Sequence, residues 1–140
     1  MVDIERLLVA LLRANSDVND VLEEKVYTEL PSGVDRPICR LSLLGGLADN
    51  SAQPDWLARP AVDFDVWGVT KSEAFTAVSV IRQVLLAQPR TQTFRDEGDV
   101  VYVSATYPIY LPDSEWPDVN GRPGPRYHMT TRLTAHPTRS

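Results

Sequence analysis

Hydrophobic and polar residues alternate most clearly in the stretch 61–88, and we expect the rest of the chain to pack around it. Its first part has the two-residue period of a strand, with Val62, Phe64 and Val66 on an apolar face and Asp63 and Asp65 on a charged one. Gly68 ends this alternation. Thr70 and Glu73 then have the spacing of a capping box, in which each residue satisfies a backbone N–H near the other. This spacing predicts that a helix begins here.

The helix predicted after Thr70 has an apolar stripe formed by Ala74, Ala77, Val78, Ile81, Val84 and Leu85. Pro89 is expected to end it, because proline disfavours helical geometry in the residue before it. A half-exposed strand that leads into a capped amphipathic helix is a core unit of an α/β or α+β domain.

A second apolar stripe predicts a helix at the N-terminus, formed by Ile4, Leu7, Leu8, Leu11 and Leu12. Asp3 precedes it, where a negative charge suits the helix dipole. A short helix is predicted over 18–24, and a short extended piece at Val26-Tyr27.

Further strands are predicted over 37–44, 91–95, 100–107 and 127–135. The first has an apolar face formed by Cys39, Leu41 and Leu43. The third has Val101, Val103, Ala105 and Tyr107 on one face and Val100, Tyr102, Ser104 and Thr106 on the other. The fourth has Tyr127, Met129, Thr131 and Leu133 on one face and His128, Thr130 and Arg132 on the other. Between these strands lie a polar loop, 47–59, and the segment 108–126. Five prolines in 108–126 predict that it contains no regular element.

This order predicts an α+β fold: a mostly antiparallel sheet of four to five strands, two helices packed on one face, and long loops. The opposite face carries Asp63, Asp65 and Trp67, so we expect it to be polar or to meet another subunit. The chain of 140 residues is expected to form a single domain, 1–140, with loops 45–59 and 108–126 as interaction arms.

The composition narrows the class of partner. The net charge of −5 argues against binding of nucleic acid through phosphate neutralisation, although DNA could slide through an acidic ring. No export signal or apolar run of about 20 residues is present, which predicts a soluble intracellular protein or one released by lysis, with no membrane partner.

No catalytic motif or metal-ligand spacing occurs, so neither an enzyme nor a cofactor is expected. The lone cysteine, Cys39, is interpreted as a small buried hydrophobe rather than a nucleophile, because it shares a strand face with leucines. His128 and His136 are interpreted as surface or partly buried residues. Asp63 and Asp65 are interpreted as solvated strand acids.

Other carboxylates lie in the proline-rich segment. Asp113, Glu115 and Asp118 could offer oxygen ligands to calcium, but they lack EF-hand spacing.

Tryptophan in each long loop suggests protein–protein contact, since aromatic residues and arginine are enriched at interface hot spots. The candidate interface residues are Trp56, Leu57, Tyr110, Trp116, Arg122 and Arg126. The alternative is that each tryptophan folds back as a lid over the core.

The chain resembles the small tail-terminator (tail-completion, neck) proteins of long-tailed, siphovirus-type phages, especially those of actinobacterial hosts. The resemblance lies in the leucine-rich first helix and in the segments VYTELPSGVDRPICRLSLLGG, VDFDVWGVTKSEAFTAVSVIRQVL, YPIYLPDSEW and GPRYHMTTRLTAH.

The resemblance implies a small α+β virion protein that forms a hexameric ring of identical copies at the head-proximal end of the tail tube. Such a ring stops tube polymerisation and joins the tail to the head-closure protein, while DNA passes through its lumen. The implied location is the tail–head junction of a virion assembled in the host cytoplasm. A head-closure or head–tail adaptor protein of the same neck is the nearest alternative. An alternative of another class is a small soluble enzyme that uses Cys39 or the loop carboxylates.

Overall fold

Three helices and six strands make up the described part of the chain. The computed structural model describes residues 3–31, 35, 37–44, 60–91, 99–111 and 125–136. The elements in chain order are α1 (Ile4–Arg13), α2 (Ser16–Leu22), β1 (Val26–Tyr27), β2 (Ile38–Leu43), β3 (Ala61–Trp67), α3 (Lys71–Thr91), β4 (Asp99–Ala105), β5 (Ile109–Leu111) and β6 (Arg126–His136).

The six strands form one sheet with the order β1-β2-β3-β6-β4, and β5 pairs with β6 beyond the end of β4. All pairs are antiparallel except β1 with β2, which are parallel. The predicted α+β class is confirmed. The sheet is one strand larger than the upper expected number. The short helix predicted over 18–24 is present as α2, so three helices rather than two pack on the sheet.

The helices pack on one face of this sheet. The apolar side chains of β2, β3 and β6 share one core with those of α1, α2 and α3. Both predicted helical stripes are confirmed, because all five residues of the α1 stripe and all six of the α3 stripe are buried. Leu8 is fully buried at the centre of this core. Leu43 differs from the prediction: it is 46% exposed, because it ends β2 at the margin of the core.

Side-chain caps fix where the helices begin. The Asp3 carboxylate accepts a hydrogen bond from the Arg6 N–H. The predicted capping box forms, with Thr70 Oγ1 accepting from the Glu73 N–H at 3.1 Å. The reciprocal bond differs by one residue, since Glu73 Oε1 accepts from the N–H of Val69 rather than Thr70.

Helix α3 continues through Pro89 to Thr91, so the predicted stop at Pro89 is wrong. A proline near the end of a helix removes only one backbone hydrogen bond, and its fixed φ is compatible with helical geometry. The Gln88 side chain donates to the Val84 carbonyl in the same turn. The strand predicted over 91–95 is contradicted at Thr91, which is helical; residues 92–95 lie outside the described part.

Two predictions around β4 also need correction. A bulge between Val100 and Tyr102 shifts the register, so Val100 packs against the core with Val103 and Ala105. The sequence had placed Val100 on the face opposite Val103 and Ala105. Tyr107 was placed on the same strand face as Val103 and Ala105, but it lies beyond the end of β4 and is exposed.

The segment 108–126 contains strand β5, contrary to the prediction of no regular element. Residues 109–111 contain no proline, so their backbone can pair with β6. The interruption between β4 and β5 lies at Thr106, whose hydroxyl, rather than its carbonyl, accepts the Thr130 N–H. The proposed arm 108–126 therefore begins within the sheet.

Charged side chains from two helices reach the two edges of the sheet. At one edge, the Leu43 N–H donates to Glu5 Oε2 at 3.3 Å. At the other edge, Arg82 of α3 donates to the carbonyls of Ala105 and Thr106 at 3.3 and 3.2 Å. These bonds occupy backbone groups that a further strand would use.

Two places carry tight or strained backbone. Glu23 and Glu24, between α2 and β1, both have left-handed φ values of 50° and 64°. Gly68 lies so close to the start of α3 that a Cβ there would sit 2.5 Å from the Ala74 nitrogen.

Candidate functional site

The sheet face opposite the helices carries a connected group of charged side chains. Backbone pairing aligns β2, β3 and β6, so alternate residues of the three strands meet in rows on this face. We call the group the charged cluster; its members are Arg40, Asp63, Asp65, Arg126 and His128. The sequence predicted that Asp63, Asp65 and Trp67 share this face, and this is confirmed.

Trp67 closes one end of the charged cluster and is fully buried. It packs with Ile38, against which Tyr27 and Leu30 also lie. The guanidinium carbons of Arg40 and Arg126 lie 5.6 and 5.8 Å from the centre of the Trp67 ring, within cation–π range. This end of the face therefore has a small apolar core of its own.

Asp65 is the centre of the charged cluster. Its carboxylate lies 3.0 Å from Arg40 Nη2, 3.0 Å from His128 Nδ1 and 3.7 Å from Arg126 Nη1. Only 6% of its side chain is exposed, so the expectation of a solvated acid is wrong for Asp65. A carboxylate removed from water needs such partners to offset its lost hydration.

His128 links Asp65 to the more exposed Asp63. Its Nε2 lies 3.5 Å from Asp63 Oδ1 and 3.5 Å from Thr130 Oγ1. The order Asp65, His128, Thr130 resembles that of a nucleophile relay. However, the Thr130 hydroxyl donates to Asp63 at 2.7 Å, so its proton points away from the imidazole. This geometry joins β3 to β6 rather than activating a nucleophile.

The candidate interface residues that fall in the described part lie on opposite faces of the sheet. Tyr110 lies on the helix side, with its ring centre 5.2 Å from that of Tyr127 and 4.4 Å from Lys71 Nζ. Arg126 lies in the charged cluster on the other face. Within the described residues, its buried Nε has no hydrogen-bond partner. The other four candidates lie outside the described part: Trp56, Leu57, Trp116 and Arg122.

Cys39 is buried on the helix side of the sheet, as predicted. Burial raises the pKa of its thiol well above the ordinary range; the Asp65 carboxylate raises it further, whereas Arg40 lowers it. The thiol is therefore held protonated and enclosed, which is unsuited to nucleophilic attack. The loop carboxylates Asp113, Glu115 and Asp118 lie outside the described residues.

Three large hydrophobic side chains are exposed along β4, β5 and the turn between them. Tyr102, Tyr107 and Ile109 are 59%, 72% and 57% exposed. Tyr102 and Ile109 pair with Thr134 and His128 of β6, so they share the face of the charged cluster. The sequence had placed Tyr102 on the face opposite Val103 and Ala105, but it had placed Tyr107 on the same face as these two residues and predicted no strand at Ile109.

The described residues contain no group of three or more histidine, cysteine, aspartate or glutamate side chains able to hold a metal ion. None of their helices has the length and apolarity needed to cross a bilayer.

The architecture is that of an α+β domain in which three helices cover one face of a six-stranded sheet. A chain in the solved structure of the virion of a native gene transfer agent (GTA) particle is similar to it. The similarity covers 95% of this chain and 94% of that chain, with a TM-score of 0.65 and 13% sequence identity. At this identity, the similarity shows a shared fold. No protein-family model and no curated protein matches the chain.

Proposed function

We propose that this chain is a structural, non-enzymatic virion protein, and specifically the tail terminator of a long-tailed phage. The observation that carries the proposal is the shared fold with a GTA virion chain over nearly the full length of both chains. The sequence resemblance to tail terminators points to the same class independently of that comparison.

In this proposal, residues 1–140 form one domain, and six copies close into a ring at the head-proximal end of the tail tube. The ring contacts the tube protein below and the head-closure protein above, and DNA passes through its lumen without specific binding. Identical subunits joined head to tail form a closed ring when their rotation closes.

Exposed surface chemistry supports a role in protein contacts. Tyr102 and Ile109 are exposed on the sheet face opposite the helices, and contact with a neighbouring subunit would remove their apolar area from water. The Arg126 side chain is 21% exposed, so part of it is accessible to a neighbouring subunit. We propose that the six candidate interface residues contribute to subunit contacts together with loops 45–59 and 108–126.

Gene deletion in the producing phage separates the two neck roles. Loss of a terminator removes the stop to tube growth, so tails of excessive and variable length are expected. Loss of a head-closure protein would instead give tails of normal length that fail to join heads. Normal-length unattached tails would therefore reject the terminator role in favour of the adaptor role.

Electron cryomicroscopy of the intact neck then tests the ring itself. The proposal requires six copies of this chain between the last tube ring and the head-closure protein. A neck without this chain would overturn the proposal, and a different copy number would overturn the hexamer.

A further inference from the structure

A groove of about 470 Å³ lies between α2 and α3, on the side of the molecule away from the charged cluster. Its aliphatic floor is formed by Val21, Val80 and Val84, and its α2 rim carries Asp17 and Asp20. Neutral side chains such as Gln83 line the α3 side. Among the described residues that line this groove, none is a lysine, an arginine or a histidine.

The acidic rim is electrostatically unsatisfied within the described part of the chain. Asp17 and Asp20 are exposed and form no ion pair with any described residue. They are three residues apart on one helix, a spacing at which like charges are neighbours and repel. Asp17 lies in the first turn of α2, where it suits the helix dipole, but Asp20 has no such compensation. A cation placed over the pair would relieve the repulsion.

The floor is apolar surface that remains in partial contact with water. Val21 and Val80 are only partly buried, although both pack against the core. Covering them would remove this apolar area from water, which is favourable in proportion to the area. An aliphatic floor beside an acidic rim therefore complements a ligand with an apolar side and a basic side.

We infer that this groove binds a short basic amphipathic helix of another protein. One aliphatic side chain of that helix would rest on Val21 and Val80, and lysine or arginine would reach Asp17 and Asp20. The seven residues of α2 span about 10 Å, which matches about two turns of a bound helix. A second copy of this chain fits less well, because the apolar stripes of its own α1 and α3 are buried in its core.

The test uses the full chain, isotopically labelled, titrated with two synthetic helical peptides of 14 residues and followed by NMR. Both peptides carry leucine at positions 4, 8 and 11; one has lysine and the other glutamate at the flanking positions. The lysine peptide should shift the amide signals of the groove residues. Its affinity should fall as salt rises from 50 to 300 mM.

Paired substitutions then test whether the acidic rim binds the lysine peptide. Asp17→Asn with Asp20→Asn should weaken the lysine peptide about tenfold, and Asp17→Lys with Asp20→Lys should transfer the preference to the glutamate peptide. Glu23→Gln with Glu24→Gln is the matched control, because it changes the net charge by the same amount as the two asparagine substitutions but lies outside the groove lining. It should leave the affinity for the lysine peptide unchanged. Unperturbed amide spectra of the free variants verify their folding.

Three outcomes would overturn the inference. One is equal loss of affinity in the rim variant and in the control, which would show a general charge effect. Another is a failure of the lysine peptide to shift the groove signals, whether signals elsewhere shift instead or none shift at all. The third is concentration-dependent shifts of the groove signals without peptide, which would assign the groove to a second copy of this chain.

Discussion

Replacing Asp65 by asparagine tests whether its carboxylate holds the charged cluster together. Asparagine keeps the size of the side chain but removes the charge, leaving Arg40 and Arg126 without their common anion. Breaking a buried ion pair costs about 3–5 kcal/mol, but both arginines keep some access to water, with 23% and 21% of their side chains exposed. We therefore expect a loss of about 2–4 kcal/mol in the free energy of unfolding.

Urea unfolding measures this loss directly. With a slope of about 1.5 kcal/mol/M, the transition midpoint should fall by about 1.3–2.7 M while the slope stays constant. Asp63→Asn is the matched control on the same strand face: its carboxylate is more exposed, at 22%, and the substitution should cost about 1 kcal/mol. Equal effects of the two substitutions, or a loss below 1 kcal/mol for Asp65→Asn, would refute the central role of Asp65.

Four further predictions concern the core and the backbone. Leu8→Asp buries an unpaired charge in the α1 core and should cost several kcal/mol; melting within a degree or two of the parent would show that α1 is not part of the core. Gly68→Ala should lower stability by about 1–3 kcal/mol in urea unfolding, because the added Cβ meets the Ala74 nitrogen, and an unchanged midpoint would contradict this close approach. Glu23→Gly should raise the melting temperature by relieving a left-handed φ, a gain of about 0.5–1 kcal/mol, and a lower melting temperature would count against strain there. Because the pKa of the Cys39 thiol is raised in the folded chain, only the unfolded chain releases the thiol proton above about pH 8.5, and the folded state loses stability as the pH rises. Between pH 7 and pH 9.5, the free energy of unfolding of the parent should therefore fall by about 1.4 kcal/mol more than that of Cys39→Val. Identical pH profiles of the two proteins would contradict this.

Local pattern was sufficient to predict most of the elements. The stripes of α1 and α3 and the alternation in β3 and β6 follow from periods of 3.6 and 2, which one sequence displays. The predictions that were wrong concern the end of α3 and the faces of β4, where position in the helix or pairing with a neighbouring strand decides the local structure. Pro89 lies in the last turns of α3, and the bulge in β4 depends on its pairing with β6.

The charged cluster could not be found in the same way. The sequence showed that Asp65 lies on the face opposite Val62 and Val66, but not which residues of β2 and β6 lie beside it. Pairing registers, which depend on the whole sheet, bring Arg40 and His128 next to Asp65. Opposite charges at matching positions of three predicted strands were the available signal. For the six candidate interface residues, the sequence offers composition and loop length but no geometry.

The hydrogen bonds from Glu5 and Arg82 to the sheet edges affect how copies of this chain behave at high concentration. Fibril growth requires each incoming molecule to add a strand to an open edge, and here the newcomer must first break charge-assisted bonds at Leu43 or at Ala105 and Thr106. Strand addition is thereby opposed at the part of β2 that β1 does not cover and at the end of β4. Copies of this chain can still associate through side chains on the faces of the sheet, and such contacts can have a defined geometry and a fixed number of copies.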